Sequence, residues 1–433
     1  MTWRSSPTAP PRTPIRRRAA VVPVCAHAAA FTLSAACGLG DDDPIRVGVL
    51  HSMSGTMAAS ERAVADATRL ALDELNAAGG LLDRPIEIVV ADGRSDPATF
   101  AAEAERLITT EGVSVVFGCW TSASRRSVRP VSEAHDHLLF YPLQYEGVEQ
   151  SPNIVYLGAA PNQQILPALE WALRNGRERI FLVGSDYVFP HTANAIIRDQ
   201  VAAWRGEIVG EEYVLLGSVD LDAVVERIAN TSPDIILNTI NGRDTNIAFF
   251  NALRERGIMS DAVPALSFSV SEIELTGAPD TLAGDYVMWH YFQSLDTPLN
   301  HDFVSRFKTV YGQERSVGDP MAAAYVGVRL WARAVEAAGS IDPVRVRASV
   351  LGQSINGPGG MTHVDVRSQH TWKTVRLGQI GTDGQIVERW SSEIPIQREP
   401  YPSSRPRDAW DQFLSDLQRG WNGGWENPGT TRP

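Results

Sequence analysis

The sequence predicts an α/β fold built on parallel sheets that are covered on both faces. Short β-branched, nearly continuous apolar runs recur along the chain, and amphipathic stretches of helical period separate them. Continuous apolar strands belong in sheets buried on both sides, and strand–helix alternation supplies the helices that bury them. The chain has 433 residues, too many for one compact core, so length suggests two to three domains.

Strand signals fall at 46–50, 86–90, 113–117, 138–141, 179–183, 234–240 and 286–292. Helical periodicity falls at 60–78, 98–109, 162–174, 191–204, 244–256 and 321–338. In the first helix Ala63, Ala67, Leu70, Ala71 and Leu75 follow three-and-four spacing, one apolar face. Ser60 reads as its N-cap, and Gly79-Gly80 as its stop. From about 400 the chain turns rich in Pro, Arg and Trp, and 400–433 reads as a loosely ordered tail carrying a short amphipathic helix over 408–418.

Composition narrows the function classes. Hydrophobic residues make up 43% and charged ones 21%, an ordinary globular balance. A net charge of −12 argues against a nucleic-acid partner, whose phosphates need a basic stripe. The first residues differ in kind. Arg16, Arg17 and Arg18 precede an apolar run over 19–36 that ends Ser34-Ala35-Ala36-Cys37. A charged start, a short apolar run and small residues are the layout of a secretory signal, so export is expected. The end of the run resembles a bacterial lipobox, which implies lipid attachment at Cys37 and a membrane surface as partner. Ser34-Ala35-Ala36 suits an ordinary signal peptidase as well, and both readings remove the same apolar segment; 1–37 reads as signal segment with its lipobox-like cysteine and 38–44 as linker. Removal leaves Cys119 alone, with no partner for a disulfide.

In parallel sheets ligands sit beyond the carboxyl ends of the strands. The loops after Leu50, Phe117, Tyr141, Gly184 and Ile240 are therefore the places to look. The segment Gly118-Cys119-Trp120-Thr121-Ser122-Ala123-Ser124 leads from a strand into a helix, and its hydroxyls and free helix N–H groups suit a carbonyl oxygen. A plain N-cap explains any single Ser or Thr there equally. Tyr141, Gln144, Tyr145 and Glu146 place two aromatic walls, an amide and a carboxylate within six residues. Gly184-Ser185-Asp186-Tyr187-Val188-Phe189 follows the next apolar strand, and Asn241 beside Gly242 is either a ligand amide or a turn residue.

These segments carry a resemblance. RVGVLHSMSGTMA and DELNAAGGLLDRPIEIVVADGRSDP look like the opening of type I periplasmic binding proteins. FGCWTSASRRSVRPV, LLFYPLQYEGVEQSPNIVYLGAAPNQQ, VGSDYVFPHTAN, NTINGRDTNIAFF, LSFSVSEIEL and HYFQSLDTP resemble the urea-binding subunit of urea ABC transporters, a family close to the short-chain-amide-binding regulators of amidase operons. The similarity spans about residues 45–400. It implies two Rossmann-like lobes joined by a three-crossover hinge, with lobe 1 at 45–160 plus 287–352 and lobe 2 at 161–286 plus 353–399. It implies capture of urea between the lobes and delivery to an ABC transporter permease with its ATPase subunits, without a cofactor. By motif position the implied site uses Trp120, Thr121, Ser122, Tyr141, Gln144, Tyr145, Tyr187 and Phe189, with Asn241, Ser269 and Glu272 as further members. Two departures stand out: the loop NGRDTN is one residue longer than usual, and Ala322 holds a position that is commonly acidic.

Two other readings compete. An enzyme needs reactive groups in mutual reach, and the sequence carries no nucleophile elbow, phosphate-cradling Gly–Lys loop or zinc-type spacing. His135-Asp136-His137, the pair Asp92 and Asp96, and Cys119 read as a helix end, loop and cap chemistry, and a packed thiol. Neither catalytic nor metal-binding residues are therefore expected. The closer rival is a binding protein for short-chain amides or branched-chain amino acids, acting in transport or as a ligand sensor.

Overall fold

The structure, a computed structural model, describes residues 43–429. The expected signal segment, with Cys37, lies outside the described residues. Strands β1 (Ile45–His51), β2 (Ile86–Asp92), β3 (Val116–Gly118), β4 (Leu139–Tyr141) and β5 (Ile154–Tyr156) form a parallel sheet in the order β2-β1-β3-β4-β5. The chain then crosses and repeats the plan. Strands β6 (Arg179–Ser185), β7 (Glu207–Val214), β8 (Ile235–Thr239), β9 (Ala265–Ser267) and β10 (Tyr286–Trp289) pair in parallel as β7-β6-β8-β9-β10. It crosses back to form two helices, Pro298–Tyr311 and Asp319–Ala338, that pack on the first lobe. An antiparallel set of β11 (Ser354–Gly357), β12 (Gly360–Val364) and β13 (Thr371–Trp372) follows. A third passage leads to β14 (Arg376–Ile380) and β15 (Ile386–Ser391), which extend the second sheet beyond β10 in antiparallel fashion.

Strand periodicity explains how the second lobe is covered on both faces. Ile180 and Leu182 of β6 enter one core with Ile196 and Leu237, whereas Phe181 and Val183 enter the opposite core with Ile236 and Phe249. Successive side chains of a strand point to opposite faces, so a continuous apolar run builds two cores.

Three local expectations change. Val287 to Trp289 belong to β10 and hence to the second sheet, while Val364 of β12 joins the first lobe's core. The lobe boundaries therefore fall near 290 and 373, because β11 lies against the helix Asp319–Ala338 and β12 sends Val364 into the first lobe's core. The described part of the tail, 400–429, is not loose: a helix Arg407–Gly420 docks on the second lobe through Trp410, which is fully buried, and Leu414. These two apolar side chains, four residues apart, form the start of a helical stripe. Ser60 is not a cap, since the helix Ala58–Ala77 starts two residues earlier. Its Oγ instead donates across the junction to Glu274 Oε1 at 2.8 Å.

Candidate functional site

Both sheets reverse their strand order beside the first strand of each lobe. Loops leaving β1 and β3, and likewise β6 and β8, diverge there and open a crevice at the strands' carboxyl ends. The loops read from the sequence stand at these points.

In the first lobe Gly118 closes β3. A Cβ there would lie 2.0 Å from the Leu50 carbonyl oxygen, so only glycine permits this approach. Cys119 follows in the left-handed region (φ 66°), and its N–H donates to the Leu50 carbonyl at 3.0 Å. The thiol is buried, and burial pushes its pKa far above the ordinary range, so it is no nucleophile. This turn presents Trp120. The Tyr141 hydroxyl donates to the Trp120 carbonyl at 2.8 Å, joining the β3 and β4 loops. Thr121 caps the helix Ser122–Ala134 by accepting from the Ser124 N–H at 3.0 Å.

Behind this wall lies a buried ion cluster. Arg125 meets Glu149 at 2.8 Å and Glu146 at 3.2 Å, and Arg126 meets Glu146 at 2.8 Å and Glu149 at 3.3 Å. Burial pushes the Glu149 carboxyl up, but the attraction of Arg125, Arg126 and Arg129 overrides it and leaves its pKa at about 2. The cluster takes in two of the expected site residues. Ser122 Oγ bonds Glu146 and accepts from Arg125 at 3.0 Å. Tyr145 bonds His370, stacks on Tyr156 with centroids 5.1 Å apart, and lies under the Arg125 guanidinium. Both side chains have their polar atoms engaged within the first lobe.

In the second lobe Tyr187 precedes the helix Val188–Trp204 and is 3% exposed, with the Phe189 ring 6.3 Å away. Burial raises the Tyr187 phenol's pKa, and Tyr141 and Glu146 of the first lobe raise it further. Asn241 is fixed by its N–H to Ser185 Oγ at 2.9 Å, and its side-chain amide donates to Ser269 Oγ at 3.3 Å. The structure thus brings Asn241 and Ser269 together.

The walls meet directly. Gln144 Nε2 of the first lobe donates to the Phe268 carbonyl of the second at 3.0 Å. Glu272 Oε1 accepts from the Gln293 N–H at 2.6 Å. Burial pushes the Glu272 carboxyl up to about 8, with Asp319 and Glu274 adding to the shift. Buried polar atoms here without a hydrogen-bond partner among the described residues include Trp120 Nε1, Gln144 Oε1, Glu272 Oε2 and the Tyr291 hydroxyl. Their residues are 5%, 6%, 1% and 2% exposed, so water does not satisfy them at the surface. Trp120 Nε1 and the Tyr291 hydroxyl are donors and Gln144 Oε1 an acceptor, while Glu272, protonated below about 8, offers Oε2 as a donor. Tyr291 was not among the sequence candidates. Reading 286–292 as one strand hid it, whereas β10 ends at Trp289 and leaves Tyr291 in the crossover.

Remaining candidates are structural. His135 pairs with Glu105 at 2.9 Å, His137 bonds the Val113 carbonyl at 2.8 Å, and Asp96 caps the helix Pro97–Thr109. Asp92 accepts from the Met53 N–H at 2.8 Å. At the cleft mouth a cavity of about 480 Å³ is lined by Arg62, Asp66, Arg243 and Arg315, and another of about 470 Å³ by Thr56, Leu215 and Asp244.

A family model described as "Periplasmic binding protein domain" matches residues 45–407. The chain belongs to the periplasmic binding protein family. Among its relatives is Leu/Ile/Val-binding protein homolog 6 of Brucella suis, 23% identical over 86% of this chain and 96% of that protein. A solute-binding protein of an ABC transporter from R. palustris, solved in complex with 4-hydroxybenzoate, superimposes with a TM-score of 0.73 at 24% identity. It covers 83% of this chain and 98% of its own. A limonene hydroxylase from Geobacillus stearothermophilus is 35% identical, but over only 27% of this chain and 22% of its own, too little to carry an activity over. For a periplasmic binding protein the two lobes and the buried seam between them are the expected working parts.

Proposed function

We propose that this protein captures urea between its lobes and delivers it to an ABC transporter permease, which works with ATPase subunits. The supporting observation is the set of unpartnered buried atoms at the junction. Urea offers four N–H donors and one carbonyl acceptor. Gln144 Oε1 is an acceptor for the former, and Trp120 Nε1, the Tyr291 hydroxyl and the protonated Glu272 carboxyl are donors for the latter. Trp120, Tyr187 and Phe189 supply flat apolar walls for a planar solute. A carboxylate ligand would draw on a cation. The buried arginines of this region, Arg125 and Arg126, are already held by Glu146 and Glu149. Closure is a hinge motion, and solute biases it by contacts made only when both walls are present. Anchoring at Cys37 would keep the protein beside the permease on the outer face of the membrane.

A second reading has its own support: the Brucella suis relative is named for Leu, Ile and Val, and binding of a branched-chain amino acid or a short-chain amide, for transport or sensing, fits the same fold. Calorimetric titration of the purified chain with urea, acetamide, formamide and leucine separates these. Heat with urea, weaker with acetamide and absent with leucine, supports the proposal. Heat with leucine alone replaces it by the second reading.

A further inference from the structure

The family domain ends at residue 407, yet the chain continues into a helix and a strap that reach the solute site from behind. The strap is anchored on the second lobe. Arg405 grips Asp199 through two bonds of 2.7 Å, and Trp410 is buried with its indole N–H on the Pro402 carbonyl at 3.0 Å. After the helix, the Trp425 carbonyl accepts the Val188 N–H at 2.9 Å, Glu426 forms a β-bridge with Tyr187, and the Asn427 N–H donates to the Asp186 carbonyl at 3.1 Å. A helix's first N–H groups have no partner within the helix, so the strap satisfies one that the fold leaves open and fixes the backbone that carries Tyr187.

The same segment touches the first lobe twice. The Val148 N–H donates to the Pro400 carbonyl at 2.7 Å. Gly147 beside it has no room for a Cβ, which would lie 2.2 Å from that oxygen. At the far end the Arg126 guanidinium stacks over the Trp425 ring at 4.9 Å. Arg126 is thereby held between Glu146 and Glu149 and an aromatic face, and is only 3% exposed. A cation–π contact gains strength when desolvated, and Trp is its best partner.

We propose that residues 421–427 act as a latch on the closed cleft, with Trp425 as a positioning residue: its ring holds Arg126 of lobe 1 while its carbonyl and Glu426 hold Val188 and Tyr187 of lobe 2. Opening the lobes pulls Arg126 away from a ring fixed to the other lobe, so the latch slows opening and solute release. This builds on the solute-binding reading, and its test is independent of which solute binds. Hydrogen exchange is measured on the full chain without solute, for wild type, Trp425→Ala and Trp425→Phe. Trp425→Ala is expected to speed exchange about fivefold or more in 144–149 of lobe 1 and 186–190 of lobe 2, with β8 unchanged. Trp425→Phe, which keeps an aromatic face, recovers most of the protection. Release of whichever solute the wild type binds should quicken by a similar factor. Faster exchange confined to 186–190 would reduce the strap to a helix cap and overturn the latch. Unchanged exchange in both segments would overturn it too. Absence of urea heat in the wild type would strike the solute assignment alone.

Discussion

The two walls of the cleft are held in different ways. Lobe 1's wall rests on charge: Arg125 and Arg126 lie buried against Glu146 and Glu149, and Ser122 and Tyr145 are tied into the same cluster. Lobe 2's wall rests on neutral bonds, Asn241 to Ser269 and Ser185, with Tyr187 backed by a segment from outside the family domain. A fully paired buried cluster demands its geometry, since removing one member strands a charge. Neutral bonds tolerate adjustment at lower cost. Lobe 1 is thus the rigid face of the cleft, and lobe 2 the face that is set by its supports.

The sharpest way to break this contrast is Arg125→Met. It leaves Glu146 and Glu149 short of a cation in a fully buried site, and stability should fall by about 3–5 kcal/mol. Guanidinium denaturation measures this without adding a candidate ligand. A loss under about 1 kcal/mol would mean that the charges do not fix lobe 1. Truncating an aromatic wall comes next. Tyr187→Ala and Trp120→Ala should each weaken solute binding by about 2 kcal/mol while the chain still folds. Calorimetry beside circular dichroism checks this, and unaltered affinity in both variants removes the site assignment.

Selectivity tests the junction itself. Gln144→Leu removes both the bond to the Phe268 carbonyl and the unpartnered Oε1. The preference for urea over acetamide should shrink by about tenfold, because the lost acceptor distinguishes an amino group from a methyl. An unchanged ratio would show that selectivity lies elsewhere.

A last test of the junction uses pH. Glu272 titrates at about 8 in the fold against an ordinary 4.5. Between these values the folded chain keeps a proton that the unfolded chain has released. Stability therefore falls as pH rises through that window, by at most about 1.4 kcal/mol per unit from this group. Burial raises Glu274 and Asp319 in the same direction, so Glu272→Gln should flatten the fall without abolishing it. Denaturation midpoints at several pH values between 5 and 8 give the slope, and an identical slope in the variant would place the proton uptake on other groups.

Much of the fold was legible because long apolar strands and amphipathic helices announce themselves by period. Strands such as β1, β6 and β8 and the helix Asp319–Ala338 lie close to where the run of residues puts them. The loops at their ends could be located in the same way, and Trp120 and Gln144, each with an unpartnered buried atom, lie on two of them. What escaped was carried by contacts distant in sequence. Ser122 and Tyr145 read as ligand groups because nothing local reveals Glu146 or His370 as their partners. Tyr291 was masked by its apolar neighbours, and Ser60 by its resemblance to a cap.

By itself the sequence determined the α/β class, the alternation that buries each sheet, the acidic balance and the loops that face the cleft. Those depend on periodicity and composition, which are local or global properties of the chain. The tertiary structure alone decided which polar atoms are used up and which remain, that the last helix docks, and that Trp425 meets Arg126. Whether a buried donor has a partner depends on residues brought together from far apart in the chain, and no pattern along it encodes that meeting.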